Sequence, residues 1–437
     1  MFGTDGIRGY PYKGYFTKES LIKIGYSFGA YLLKNNHNVS NVFISKDTRE
    51  TSDFVEANII KGINLSGLNT ISLGILPTSS LSIFTNKYPH SAGAMITASH
   101  NNFEYNGIKF INKKGEKISS VDEKIIEKIY KKKIIHKKTK TLNLTYKDSG
   151  AEYVNEIASI VSNLKLPNFK FCIDLANGAS YKTTKSLLER LDQDFLLISV
   201  QPNGININKN CGVEHLIKVG DYVKKRNLVF GVSIDGDADR VVFVNKNGKL
   251  IEGDKIIAFI AESSLKRGSK LITTIMSNNI IEKRLKKRGI EVLRSDVGDK
   301  NVYQMMKKEN ASFGGENSGH YIIKDLLNTS DANITLIYIL NLLFKRRLDF
   351  DYIDRIKLNS NVLNSYNIVK KDRINKISGM RKFIKEFNTN FKSKGYMNIR
   401  YSGTEDKIRL LIQGLNRDDL KIQIDKFETI IKDYNES

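Results

Sequence analysis

DKIIAFIAESSLKRGSKLITTIMSNNIIEKRLKKRGIEVLRSDVGDKNVYQMMKK, from Asp254 to Lys308, decides the fold class. It predicts a helix over Asp254–Leu265, a strand over Leu271–Met276, a helix over Asn279–Lys287, a strand over Glu291–Asp296 and a helix over Asp299–Lys308. Short apolar runs alternating with helical patterns mark α/β layering. The same alternation occurs twice upstream. Strands are predicted at Val42–Ser45, Thr70–Leu76 and Ala92–Thr97, with a helix at Phe54–Ile63. A second set follows: strands at Phe169–Asp174, Phe195–Val200, Val229–Ile234 and Val241–Val244, and a helix within Ala176–Leu191. The polar, basic segment Ile129–Asp148 reads as a crossover between the first two blocks. Beyond Leu358 the pattern changes to a helical stretch at Ile374–Phe387, strands at Met397–Tyr401 and Ile408–Gln413, and an amphipathic helix at Leu420–Asp433. The expectation is three similar α/β domains, 1–145, 146–248 and 249–358, and a smaller α+β domain, 359–437, with no residue-level repeat between them.

A chain of 437 residues has room for several domains, each with its own core. The longest apolar stretch, Ile334–Phe344, is too short to span a bilayer and predicts a buried helix. The start, Met1-Phe2-Gly3-Thr4-Asp5-Gly6, lacks the basic-then-apolar layout of a signal peptide. A cytoplasmic protein with no membrane partner is expected. Two cysteines, Cys172 and Cys211, fit a reducing compartment and cannot build a four-thiolate zinc site. The formal charge of +23 raises nucleic-acid binding as an alternative. However, lysine, asparagine and isoleucine are abundant throughout, with 5 prolines and no tryptophan, which points to a global coding bias. The densest basic run, Lys131-Lys132-Lys133 with Lys137-Lys138, has no interleaved aromatic platform, so nucleic acid is not expected as a partner. A positive background suits an anionic small-molecule substrate. The sequence leaves the oligomeric state open, a homodimer included.

Four segments carry chemistry. In Ile96-Thr97-Ala98-Ser99-His100-Asn101-Asn102 an apolar strand ends in small hydroxyl residues, a histidine and two asparagines. Such a loop presents Ser99 at the end of a sheet, where α/β proteins bind ligands. The competing reading is a polar turn with caps. Ser99 lacks the flanking glycines of a hydrolase elbow. The second segment is Asp235-Gly236-Asp237-Ala238-Asp239-Arg240. Three carboxylates at alternate positions converge on a hard cation when the chain curls around it. An EF-hand is excluded, because Arg240 and Lys246 stand where that loop needs glycine and glutamate. A magnesium site shared with a phosphate fits better than an acidic hairpin turn. The third, Gly314-Gly315-Glu316-Asn317-Ser318-Gly319-His320, offers a carboxylate and a hydroxyl suited to sugar hydroxyls, but alone it reads better as a plain glycine-rich turn. The fourth, Arg400-Tyr401-Ser402-Gly403-Thr404-Glu405 with Arg409, is a phosphate cradle or a hairpin turn with an ion pair.

In this order the four segments resemble the α-D-phosphohexomutase superfamily. Its pattern includes a Thr/Ser-Ala-Ser-His-Asn-Pro phosphoserine loop, an Asp-Gly-Asp-x-Asp-Arg metal loop, a Gly-Gly-Glu-x-Ser-Gly-His sugar loop and an Arg-x-Ser-Gly-Thr-Glu-Pro phosphate loop. Within it the chain is most similar to the bacterial phosphoglucosamine mutases. The stretches carrying that likeness are Phe2–Gly9, Lys46-Asp47-Thr48-Arg49, Asp174 with Ala176–Ala179, Asn203–Asn208 with Cys211-Gly212, Val297-Gly298-Asp299 and Ser330-Asp331. Asn102 and Asp406 replace the prolines of the phosphoserine and phosphate loops. The first substitution implies a less rigid loop, and the second places a carboxylate where it would repel phosphate.

The resemblance implies a four-domain architecture in which each domain lends one loop to a central cleft. It implies that Ser99 is a phosphoserine and the phosphoryl carrier, and that one Mg2+ per chain is held by Ser99, Asp235, Asp237 and Asp239. Arg8 and Lys109 would add positive charge or move a proton, with Lys109 or His100 as the general base. Arg240, Gly298, Glu316, Ser318, His320, Arg400, Ser402, Gly403, Thr404 and Arg409 would bind substrate. The implied reaction interconverts glucosamine 6-phosphate and glucosamine 1-phosphate through glucosamine 1,6-bisphosphate, for amino-sugar nucleotide and cell-wall precursor synthesis. The alternatives are phosphomannomutase or phosphoglucomutase activity, or a non-catalytic sugar-phosphate binding protein.

Overall fold

The computed structural model describes residues 1–3, 5–34, 38–134, 141–402 and 405–436. Four sheets follow one another along the chain. The first holds β1 (Ile7–Gly9), β2 (Asn41–Lys46), β3 (Asn69–Ile75), β4 (Ser91–Ile96), β5 (Asn106–Ile111) and β6 (Asn143–Thr145), in the order β1-β5-β4-β2-β3-β6. The second holds β7 (Phe171–Asp174), β8 (Phe195–Ile198), β9 (Phe230–Ile234), β10 (Val241–Asn245) and β11 (Leu250–Ile251), in the order β11-β10-β9-β7-β8. The third holds β12 (Lys270–Thr274), β13 (Glu291–Ser295), β14 (Phe313–Gly315) and β15 (Tyr321–Ile323), in the order β13-β12-β14-β15. The last is antiparallel, with β16 (Asn361–Asn367), β17 (Tyr396–Tyr401) and β18 (Lys407–Gln413) in the order β16-β18-β17, beside the helices Met380–Phe391 and Arg417–Glu436. The expected α/β class is what the chain adopts.

The first three sheets share one device. A parallel set ends in a strand that turns back into an antiparallel neighbour: β4 into β5, β9 into β10, β14 into β15. The turns between them are 97–105, 235–240 and 316–320, and these carry the three motif loops. The repetition is therefore one of topology, which explains why no residue-level repeat is visible. β4 is buried at every position, covered on both faces, and so reads as an unbroken apolar run.

The cores do not follow the predicted blocks one to one. The largest apolar cluster runs from Phe43 and Met95 through Phe230 and Val241 to Leu271, Leu336 and Phe350, crossing three sheets. A second cluster lies under the N-terminal helix Lys18–Lys34. The C-terminal sheet has its own, around Phe383, Leu410 and Phe427. Each buried Leu, Ile or Phe contributes about 1.5–3 kcal/mol relative to exposure. The apolar helix expected near Ile334–Phe344 is Ala332–Arg346 and is mostly buried. Among the described residues no helix is long and apolar enough to cross a membrane. Cys172 and Cys211 are free and buried, and burial pushes the Cys211 thiol up to about 11.

Two local expectations need correction. The crossover Ile129–Asp148 contains β6, which pairs in parallel with β3 (Thr70↔Asn143); residues 135–140 lie outside the described residues. The helix expected within Ala176–Leu191 is there, over Thr183–Arg190. The stretch Ile374–Phe387 is split into a single turn, Ile374–Lys376, and the helix Met380–Phe391, because Gly379 sits between them at φ +76.

One buried junction ties the three α/β blocks together. Asp331 caps the helix Ala332–Arg346 through Oδ1, which accepts from Ile334 N at 2.7 Å. Its Oδ2 accepts from Tyr153 Oη at 2.6 Å and from Ser79 Oγ. Asp331→Ala removes a cap and takes a shared charged acceptor from two buried hydroxyls, Ser79 Oγ and Tyr153 Oη, leaving them only each other at 3.2 Å. We expect it to destabilise the fold by about 2–4 kcal/mol, read as a lower denaturant midpoint. An unchanged midpoint would remove the junction from the account.

Candidate active site

Ser99 follows β4 and is fully buried, with φ +54. A non-glycine residue in this left-handed region costs about 1–2 kcal/mol and persists only where its surroundings over-determine it. Ser99 N donates to Thr97 Oγ1 at 2.8 Å. Ser99 Oγ donates to Asp235 Oδ2 at 2.7 Å, across 136 residues of chain. His100 Nδ1 lies 3.3 Å from the same Oγ. Burial, then Arg240 and Arg8, lowers the His100 pKa to about 3, so its ring is neutral. Asn102 does not leave the loop slack. Its carbonyl accepts from Arg49 Nη1, and its Nδ2 donates to Glu104 Oε2 at 2.8 Å.

The Asp235–Asp239 loop faces Ser99 directly. A Cβ on Gly236 would lie 2.7 Å from Ser99 O, so only glycine permits this approach. The three carboxylates are fully buried and present ligand atoms within 4.8 Å of one another. Asp237 Oδ2 accepts from Lys109 Nζ at 2.8 Å and from Thr78 Oγ1, while Asp237 Oδ1 is buried without a hydrogen-bond partner. Burial and the Asp237 and Asp239 charges push the Asp235 carboxyl well above the usual range. An orphaned buried oxygen within an all-oxygen anionic set is chemically suited to a hard divalent cation such as Mg2+.

Cations surround this set. Lys109 Nζ, on β5, lies 2.7 Å from Asp5 Oδ2 and 2.8 Å from both Asp237 Oδ2 and Asp239 Oδ2. Burial opposes its charge, but those carboxylates outweigh it and hold Lys109 well above the usual lysine range. Its surroundings are anionic, contrary to the cationic neighbourhood that a lysine base requires. Arg8 Nη1, on β1, donates to Asn101 Oδ1 at 2.9 Å. Lys117 Nζ bridges Asp5 Oδ1 at 2.9 Å and Asp299 Oδ2 at 2.7 Å.

The sugar-loop residues join the same network. His320 Nε2 lies 3.0 Å from Asp239 Oδ1, and His320 Nδ1 lies 3.1 Å from Glu316 Oε2. Burial disfavours the imidazolium, yet Asp239 prevails and raises the His320 pKa to about 10, so both nitrogens donate. Arg240 Nε lies 3.3 Å from Nε2 as well. Glu316 Oε1 accepts from Gly298 N at 2.8 Å, which occupies its second oxygen within the protein. Ser318 is exposed, and its hydroxyl has no partner among the described residues.

The last segment stands apart. Arg400 on β17 faces Arg409 on β18, and the Nε of each is buried without a hydrogen-bond partner. Burial, then the Arg409 charge, lowers the Arg400 pKa. Two like charges with unused donors form a site poised for an anion. Arg409 Nη2 contacts Ser402 Oγ at 3.4 Å and Glu405 Oε2 at 3.2 Å. Asp406 pairs with Lys371 at 3.1 Å and is 86% exposed, which moderates the repulsion expected of it. Gly403 and Thr404 lie outside the described residues. Among the described residues no hydrogen bond or ion pair joins Arg400, Ser402 or Arg409 to the Ser99 centre.

Thr78 and Lys117 carry no local signal in sequence. Asp5, Asp47, Arg49, Asn208 and Asp299 lie in stretches that support the family resemblance, but nothing in the sequence assigned them contacts.

Comparison with known proteins bears on this geometry. Family profiles described as "Phosphoglucomutase/phosphomannomutase, alpha/beta/alpha domain I", "domain II" and "domain III" match residues 1–136, 151–248 and 252–353. A phosphoglucosamine mutase of Aliarcobacter butzleri is 34% identical over 99% of this chain and 98% of its own. One of Citrifermentans bemidjiense is 32% identical over 99% and 97%. A solved phosphoglucomutase/phosphomannomutase family protein of Burkholderia thailandensis superposes with a TM-score of 0.83 at 20% identity, covering 99% of this chain and 97% of that one. The chain belongs to the phosphoglucomutase/phosphomannomutase family, within the α-D-phosphohexomutase superfamily of phosphosugar-mutase enzymes.

Proposed function

We propose that the chain interconverts glucosamine 6-phosphate and glucosamine 1-phosphate in the cytoplasm, by way of a phosphoserine at Ser99 and a bound glucosamine 1,6-bisphosphate. The observation that carries this reading is Ser99 Oγ at 2.7 Å from Asp235 Oδ2, inside a buried three-carboxylate cluster. The full-length likeness to phosphoglucosamine mutases supports the choice of sugar.

Asp235, Asp237 and Asp239 would hold Mg2+, which when bound neutralises charge on the phosphoryl group. The chain's own residues do the positioning on which phosphoryl transfer chiefly depends. Ser99 is fixed facing the carboxylates, and its hydroxyl donates to Asp235 Oδ2. Lys109 stays an ammonium and neutralises charge beside the site. Of the two candidate bases, neutral His100 lies within hydrogen-bond reach of Ser99 Oγ, at 3.3 Å, although a pKa of about 3 makes it a weak one, whereas Lys109 Nζ is engaged by Asp5, Asp237 and Asp239. Ser318 and Arg240 contact the sugar phosphate, and Glu316 orients His320 and the Gly298 turn. Arg400, Arg409 and Ser402 hold the phosphate that is not reacting. That phosphate exchanges places with the reacting one when the bisphosphate turns over in the cleft.

Coupled assays on glucosamine, glucose and mannose 6-phosphates test the substrate. We expect kcat/KM to be highest on glucosamine 6-phosphate. An equal or higher value on either neutral sugar would overturn that choice while leaving the Ser99 chemistry intact.

A further inference from the structure

We infer that Arg49 and Asn208 are positioning residues for phosphoryl transfer, holding the Ser99 loop in the left-handed conformation that aims Oγ at Asp235. The inference rests on Ser99 being the phosphoryl carrier. Arg49 follows β2 in the first sheet, whereas Asn208 lies between β8 and β9 of the second. The Arg49 side chain is fully buried, and its Nε is pinned by Asp47 Oδ2 at 2.9 Å. Asp47 Oδ2 also accepts from Thr97 Oγ1 at 2.7 Å, at the root of the loop.

From this anchor the guanidinium donates to four carbonyl oxygens of the loop backbone. Nη2 reaches Ser99 O at 3.1 Å and Asn101 O at 2.8 Å. Nη1 reaches Tyr105 O at 3.0 Å and Asn102 O. Asn208 Nδ2 grips two of the same carbonyls, Ser99 O at 2.9 Å and Asn101 O at 2.8 Å. Asn208 Oδ1 is buried with no partner, so the amide is committed to donation alone. Two donors from different sheets thus share two acceptors on either side of His100. That fixes the peptide plane following Ser99 and the one following Asn101, and it offsets the cost of the Ser99 φ of +54. It also replaces the rigidity that a proline at Asn102 would supply. Without the clamp, Ser99 relaxes to an ordinary conformation, and Oγ leaves its place above the carboxylates. A displacement of about 1 Å at a reacting centre costs on the order of 100-fold in rate.

Asn208→Ala, Arg49→Lys and the double variant test this in the full chain with Mg2+. The readouts are kcat and KM on the hexose 6-phosphate that wild type turns over fastest, and the rate at which glucose 1,6-bisphosphate phosphorylates Ser99. We expect Asn208→Ala to lower kcat and the phosphorylation rate by roughly 10- to 100-fold, with KM within about threefold. The double variant should lose less than the product of the single losses, because both side chains hold the same carbonyls. Asn208→Ala with kcat within twofold of wild type would overturn the proposal. So would a rise in KM alone, or a fall in kcat that matches a loss of folded protein by circular dichroism. Failure of wild type itself to turn over or to become phosphorylated would instead overturn the mutase reading on which the inference rests.

Discussion

Ser99→Ala is expected to abolish turnover, lowering kcat by about 10⁴-fold or more, while the protein stays folded. Losses of that order follow removal of a group that carries a covalent intermediate, because no neighbour can take over the bond. The neighbours of Ser99 Oγ illustrate the point. Asp235 is committed to the carboxylate cluster, and His100 Nδ1 lies 3.3 Å from the hydroxyl, too long for a strong hydrogen bond. Alanine keeps the loop's backbone bonds to Arg49 and Asn208, since these use the Ser99 carbonyl. The loss is therefore chemical rather than structural. Intact mass should show one phosphoryl group on wild type exposed to glucose 1,6-bisphosphate and none on the variant. A variant within tenfold of wild-type kcat would sink the phosphoserine mechanism.

Asp237→Asn should have the next largest effect. Asparagine keeps the shape and an oxygen for Thr78, but it removes one of the three charges. The buried Oδ1 without a partner is the atom that the change would most plainly neutralise. We expect the Mg2+ concentration for half activation to rise more than tenfold, and kcat at saturating Mg2+ to fall by about 10²–10³-fold. Lys109 remains paired with Asp5 and Asp239, so the fold should hold. Chelation of wild type should abolish activity, and added Mg2+ should restore it. A variant with unchanged Mg2+ dependence would show that the metal does not sit among these carboxylates.

The parts of this site that sequence reveals are those written locally. Asp235, Asp237 and Asp239 stand at alternate positions of one turn, and their chemistry is legible from spacing alone. Ser99 is less so, because its local sequence also describes a polar turn. Its standing rises once Asp235 is found at 2.7 Å. Thr78, Lys117 and Asp5 are illegible for the same reason in reverse. Thr78 meets Asp237 across 159 residues, and Lys117 is one lysine in a lysine-rich chain until its carboxylate partners are in place. The fold shows the same division. Buried strands such as β4 announce themselves as apolar runs. β6 does not, because Asn143-Leu144-Thr145 is only three residues long and exposed at every position, so it carries no buried apolar run. The helical pattern of Ile374–Phe387 runs unbroken through Gly379 in sequence, although the positive φ of that glycine ends the preceding turn.

The charge of +23 has a place in this picture too. Arg400 and Arg409, side by side with unused Nε groups, show a local need for an anion that the net charge alone does not establish.

Passage of the phosphoryl group through the protein is read out by single-turnover transfer. Enzyme labelled on Ser99 with radioactive phosphoryl, freed of excess bisphosphate and mixed with unlabelled glucosamine 6-phosphate, should pass its label to the sugar within one turnover. Label that stays on the protein, or leaves only as inorganic phosphate while mutase turnover proceeds, would contradict the account.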